Sequence, residues 1–429
     1  MLGGLLLFLV HAIGLTCEGR RPLYNAPVRI VSILSSVTIL PYYAILAIDP
    51  DRSRVAYLTS LPVREGLSKV SGYYAISLLF TIFGIIVAAS FRGRLPSSSA
   101  ASEAKTSTPA TVLLLFGFCV ALVIVKLSAA GGLFYIIGNI ASRAELLAGT
   151  GVYDIFLTPA IFLTILHATR VHSQRRMRLI LLIFIVSSLF VLLAVFGGRK
   201  IPIFILLFAW IAYQKYVRKI PLISLTSVGL TALIVIFFSA MLEWRVNNQT
   251  GSAGDFKAGA VSTIANLSYL DTYLFITDYF DNHPKWQGSS FKDLIARFMI
   301  PGPYGNPPLD EGVYIRTLAE GYHVVPSLPF SLMYPSSWPP ESYGNGYANF
   351  GLIGALLFSA IRGIVIGTGF AIARSHGFGP KSFFLALTTA FNFHFTNLRL
   401  TQLAMVLCGF VVIILIERLG ARIARMRIR

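Results

Sequence analysis

The chain is poor in cysteine and in acidic residues, and it lacks the short catalytic motifs of soluble enzymes. Its three cysteines, Cys17, Cys119 and Cys408, lie far apart in or beside apolar stretches. That spacing offers neither a disulfide framework nor a set of metal ligands. No Walker-type phosphate loop, HExxH or GxSxG nucleophile elbow occurs. The one DxD-like pair, Asp49-Pro50-Asp51, has a proline between its carboxylates and reads as a turn at a span end. Period-two alternation is also missing, which excludes an outer-membrane barrel, and no internal repeat is found.

What is present is apolar sequence in long runs. Hydrophobic residues make up 55% of the chain and charged residues only 13%. Runs of about 20 apolar residues, enough to cross a bilayer, recur along it. The expected fold is all-α, a polytopic integral membrane protein with about eleven transmembrane helices. The spans fall at 1–16, 28–48, 73–91, 110–128, 152–169, 179–196, 201–214, 221–242, 348–373, 382–396 and 401–417. The N-terminal segment lacks a basic stretch and a cleavage site, so it reads as a retained first helix.

The balance of 36 basic to 18 acidic residues, a formal charge of +18, raises the question of nucleic acid. The positions of the cations answer it. More than half sit in the loops 17–29, 91–110, 170–178, 214–219 and 374–381 and in the tail 418–429. This is the positive-inside bias, which places those loops in the cytoplasm; no nucleic-acid partner is expected. The tail ARIARMRIR suits anionic lipid headgroups. The Ser/Ala-rich stretch 95–110 reads as a flexible linker.

Three regions follow: residues 1–242 with spans one to eight, a large periplasmic cap at 243–347, and 348–429 with the last three spans and the basic tail. The cap, between spans eight and nine, is the main polar region. It holds Pro301-Gly-Pro-Tyr-Gly-Asn-Pro-Pro308 and ends in Pro339-Pro340-Glu341-Ser-Tyr343-Gly-Asn-Gly-Tyr. An irregular loop of that length is uncommon, so a small folded cap is expected.

Candidate site residues come from charges on the outer face. Arg143, Arg199 and Arg399 lie in short outer loops, where the positive-inside rule predicts few cations, and Arg245 follows span eight. A guanidinium there can grip a phosphate with two parallel hydrogen bonds. Each can equally pair with a carboxylate or reach lipid headgroups. For Arg199, in the tight turn Gly197-Gly198-Arg199, escape from the helix ends is hardest. The spacing from Leu133 to Leu147 fits an interfacial amphipathic helix.

For acid/base work the cap offers Asp271, Asp278, Asp293, Asp310, Glu311, Glu320, His323 and Glu341. Glu341 leads, because Pro339-Pro340 fixes its approach and a desolvated carboxylate can act as a base. His323 is second by its intrinsic pKa. Arg362 within span nine, and Asn392, His394 and Asn397 at the outer end of span ten, point with Tyr343 to a hydrophilic cleft. Lys126 is expected to snorkel.

The order of these features resembles the Wzy-type oligosaccharide repeat-unit polymerases of O-antigen, capsule and exopolysaccharide synthesis. The resemblance rests on Gly131-Gly132…Arg143…Gly149, on Gly197-Gly198-Arg199, and above all on Glu341-Ser-Tyr-Gly-Asn-Gly-Tyr-Ala-Asn-Phe-Gly-Leu-Ile-Gly354. It implies the GT-C clan, in the bacterial inner membrane, working at the periplasmic face without metal or other cofactor. Its substrate would be an undecaprenyl-diphosphate-linked oligosaccharide, and a chain-length regulator is an expected partner. Arg143, Arg199, Arg245 and Arg399 would bind the diphosphate, and Glu341 or His323 would be the base. An O-antigen ligase is the nearest alternative. A lipid or oligosaccharide transporter is the alternative from another class, favoured by Arg362 but not by the large cap or the missing inverted repeat.

Overall fold

The computed structural model describes residues 2–19, 21–48, 63–90, 108–138, 150–171, 175–194, 200–217, 236, 268–291, 311–322 and 337–426. Among these residues the protein is all-helical. Four stretches are long and apolar enough to cross a membrane: Pro27–Ala44, Gly66–Ser90, Pro109–Ala129 and Glu341–Ser375. Four shorter apolar helices accompany them, Leu2–Thr16, Tyr153–Thr169, Met177–Phe190 and Arg399–Leu415. The expected eighth span, apart from Ile236, lies outside the described residues.

The chain divides into two compact units, residues 1–96 with 222–375 and 388–401, and residues 97–221 with 376–387 and 402–429. The first begins with α1 (Leu2–Thr16), α2 (Pro27–Ile39), α3 (Pro41–Ile48) and α4 (Val63–Ser90). The second expected span is thus two helices, because Pro41 has no N–H and its ring crowds the preceding turn. The segment 49–72 was expected to be an outer loop, but residues 63–72 are the first turns of α4. Burial of Val70 and Ser71 and an ion pair from Lys69 to Asp281 at 2.5 Å hold those turns in place.

At the other end of α1, Arg29 closes the chain. Its Nε donates to Leu15 O at 3.0 Å and its Nη1 to Arg21 O at 2.9 Å, with Nη2 on Gly19 O. The first satisfies a carbonyl that the end of α1 leaves open, and the other two tie down the loop that follows it. One cation of the basic loop 17–29 is therefore structural.

The second unit contains α5 (Pro109–Ala129), α6 (Leu133–Gly138), α7 (Gly151–Thr169), α8 (Arg175–Ala194) and α9 (Lys200–Tyr216). Thr108 caps α5, its Oγ1 accepting from Thr111 N at 3.3 Å, with Pro109 at the first helical position. Phe162 packs on Phe208 with ring centres 4.3 Å apart. Lys126 does not snorkel. It is buried and donates to both carboxylate oxygens of Asp154 at 2.7 Å, the less costly choice for an ammonium inside an apolar bundle.

The first unit continues with α10 (Leu270–Asn282), α11 (Glu311–Ala319) and α12 (Glu341–Ser375). Helices α13 (Pro380–Asn392) and α14 (Asn397–Met426) follow, and residues 388–401, where they meet, belong to this unit. The main interface is α4 against α12. A Cβ on Gly363 would overlap the Thr81 carbonyl, and one on Gly84 the Ala360 carbonyl. Small residues let the two backbones touch, which is how helices associate where no water drives them together.

Helix α12 is broken. Gly351 has φ 68° and ψ −154°, a conformation open essentially to glycine alone. The break leaves a short arm, 341–350, ahead of the long apolar part. The two fold so closely that a Cβ on Gly346 would overlap the Gly354 carbonyl.

Candidate functional site

The arm begins on Pro339-Pro340, and its polar residues Ser342, Asn345 and Asn349 recur at helical spacing along one face. That face grips two irregular segments. Ser342 Oγ accepts from Phe395 N at 2.9 Å, and Asn345 Nδ2 donates to Phe395 O at 2.7 Å. Asn349 Oδ1 accepts from Gly288 N at 3.0 Å and from Ser290 Oγ at 3.1 Å. The carbonyls freed by the break at Gly351 are also satisfied, since Trp286 N donates to Ala348 O at 2.9 Å and Gln287 N to Asn349 O at 3.1 Å. With its polar ends paired, a buried helix terminus carries no desolvation penalty.

This clamp fixes the turn between α13 and α14, residues 393–396. Thr396 N donates to His394 O at 2.9 Å, and Thr396 Oγ1 accepts from Arg399 N at 3.3 Å, capping α14. The carboxylate of Glu311 accepts from Asn397 N at 2.7 Å. An anion there complements the positive end of the helix.

At the head of the arm lies Glu341, with φ 55°, the left-handed region that residues with a Cβ rarely adopt. It keeps only 9% of its full exposure and His394 8%. His394 Nε2 contacts Glu341 Oε2, and Arg399 Nη2 lies 3.8 Å from Glu341 Oε1. Arg362, from the apolar part of α12, acts on the same imidazole by its charge. Since a carboxylate only accepts, a neutral His394 ring carries its proton on Nε2, toward Glu341. The Nδ1 atom is buried and has no hydrogen-bond partner among the described residues.

Of the residues expected at the site, Glu341, His394 and Arg399 come together, with Arg362 close enough to act on them. Arg143, Arg199, Arg245 and His323 lie outside the described residues. Tyr343 is packed within an aromatic cluster. Its exposure is 2%, its ring packs on Tyr74 and Tyr273, and its hydroxyl lies 3.3 Å from Thr277 Oγ1. Three other carboxylates of the stretch 243–347 are engaged elsewhere: Glu311 on the α14 N-terminus, Glu320 with Arg316, and Asp271 on Thr272 N at 2.8 Å. Of the residues from Leu133 to Leu147 expected to form an interfacial amphipathic helix, 133–138 are helical and 139–147 lie outside the described residues.

Sequence reasoning singled out neither Ser342 and Asn349 nor Ser290 as parts of the scaffold. A signal was available in the three polar residues at helical spacing, two in the expected cap and Asn349 in the expected ninth span. The pairing of Glu341 with His394 had no local signal.

Fold and site together describe an all-helical, membrane-type protein with a buried carboxylate–imidazole pair where a broken helix meets the turn between two others. No protein-family model, curated protein or solved structure matches this chain.

Proposed function

We propose that this protein is a membrane glycosyltransferase that polymerises undecaprenyl-diphosphate-linked oligosaccharide repeat units at the periplasmic face of the bacterial inner membrane. In this reading the chain has about eleven spans, with residues 243–347 on the outer side. The growing glycan is the donor and a hydroxyl of an incoming lipid-linked repeat is the acceptor. The anomeric carbon forms its new bond to that hydroxyl oxygen while its bond to the diphosphate breaks. Undecaprenyl diphosphate leaves with the electron pair. Activation is already stored in the diphosphate linkage, so no nucleotide sugar is needed.

The observation that carries the reading is the buried Glu341–His394 pair with Arg399 beside it. Such a pair can take a proton from a hydroxyl, and a guanidinium can stabilise the charge growing on the leaving diphosphate. By resemblance, Arg143, Arg199 and Arg245 share the second task. The run from Glu341 to Gly354 that resembles the polymerases is the same arm and break that position the pair.

The test uses purified full-length protein in nanodiscs with undecaprenyl-diphosphate repeat units and EDTA, without nucleotide sugar. A ladder of polymer is the expected product. A preparation that binds the lipid-linked substrate yet makes no ladder overturns the polymerase reading, and transfer to added lipid A core would then identify a ligase.

A further inference from the structure

Resting on that reading, the geometry assigns the two members of the pair different tasks. We propose that His394, through Nδ1, is the catalytic residue that receives the proton of the acceptor hydroxyl, and that Glu341 is a positioning residue that holds the ring.

Three observations carry this. First, Glu341 meets the Nε2 side of the imidazole, so the carboxylate fixes the tautomer that leaves a lone pair on Nδ1. Second, Nδ1 is a buried polar atom without a hydrogen-bond partner among the described residues. Such an atom is destabilising on its own and becomes satisfied when a hydroxyl donates to it. Third, the turn carrying His394 is held on both sides, by Phe395 N on Ser342 Oγ and by Asn345 Nδ2 on Phe395 O. A base held this way needs no rearrangement to keep its direction.

The charged groups acting on the ring are Glu341, Arg362 and Arg399. As the hydroxyl oxygen bonds to the anomeric carbon, its proton passes to Nδ1 and the leaving diphosphate carries away the negative charge. The resulting imidazolium faces Glu341, which keeps the Nε2 proton in a hydrogen bond without accepting it. The Nδ1 proton is released afterwards to water or to the departing diphosphate. The role is that of the carboxylate-oriented histidine of hydrolases, here working on a sugar hydroxyl.

The experiment has two arms. In the first, the polymerisation assay is run on His394→Ala and Glu341→Gln in nanodiscs. His394→Ala is expected to lose at least about a hundredfold in rate while still binding lipid-linked substrate, and added imidazole should restore part of it. Glu341→Gln should slow the reaction and move the acid limb of its pH–rate profile to lower pH. That shift follows from removing the one group that raises the proton affinity of the ring, and a purely structural role would not produce it. If His394→Ala keeps its rate within about threefold, the assignment is overturned and the base is Glu341.

The second arm needs no turnover. Nitrogen-15 spectra of histidine-labelled protein, with His394 assigned by difference against His394→Gln, should show an Nε2–H neutral ring at pH 7. Glu341→Gln should mix the tautomers. A ring protonated on Nδ1 in the unsubstituted protein overturns the proposal even where the polymer ladder forms. Conversely, an absent ladder with the expected tautomer strikes only the polymerase reading.

Discussion

Glu341 holds a backbone conformation that costs a side-chain-bearing residue roughly 1–2 kcal/mol. It is retained where the Glu341 carboxylate meets the imidazole, so the strain and the site coincide, as they often do. The other half of the pair gives a test at this scale. His394→Ala takes the imidazole away from the buried Glu341 carboxylate, so the thermal midpoint of the purified protein should fall. An unchanged midpoint would show that the pair contributes nothing to stability.

Among the elements, the break in α12 governs the rest. At Gly351 the backbone angles lie where any Cβ is strained, and an added Cβ would also press on the aliphatic end of Lys285. Gly351→Ala is expected to destabilise the protein by about 1–3 kcal/mol and to depress activity further than stability alone would, because the arm carries Glu341. Retention on size-exclusion after heating, beside the polymerisation rate, measures both. Much of this element was legible in sequence. Pro339-Pro340 marked its start, Asn349-Phe350-Gly351 its centre, and the apolar run beyond Gly351 a span. Its helical character before residue 348 was not, because polar residues between apolar stretches read as loop. Here Ser342, Asn345 and Asn349 bond to neighbouring segments and the arm stays helical. The encounter of Glu341 with His394 was hidden for a different reason. It depends on the register of an irregular turn distant in sequence, which no periodicity encodes.

At the scale of the whole molecule, the proposed topology rests on the distribution of cations, which would put the basic ends of the helices in the cytoplasm. With Cys119 and Cys408 replaced by serine, the exposed Cys17 marks the end of α1 and an added Asn282→Cys marks the exposed end of α10. A membrane-impermeant maleimide applied to spheroplasts should label the introduced cysteine at once and Cys17 only after permeabilisation. The opposite pattern would invert the proposed topology and remove the site from the periplasmic face. The bonds from residues 286 and 287 to the arm have another consequence. They join main chain to main chain, so they are indifferent to which side chains stand at 286, 287 and 348. They are not indifferent to how many residues separate that anchorage from Glu341. One residue gained or lost in between would swing the carboxylate about 100° around the helix axis and about 1.5 Å along it, away from the imidazole. Descendants of this gene can drift in spelling at 286, 287 and 348, but the length of chain from there to Glu341 is set.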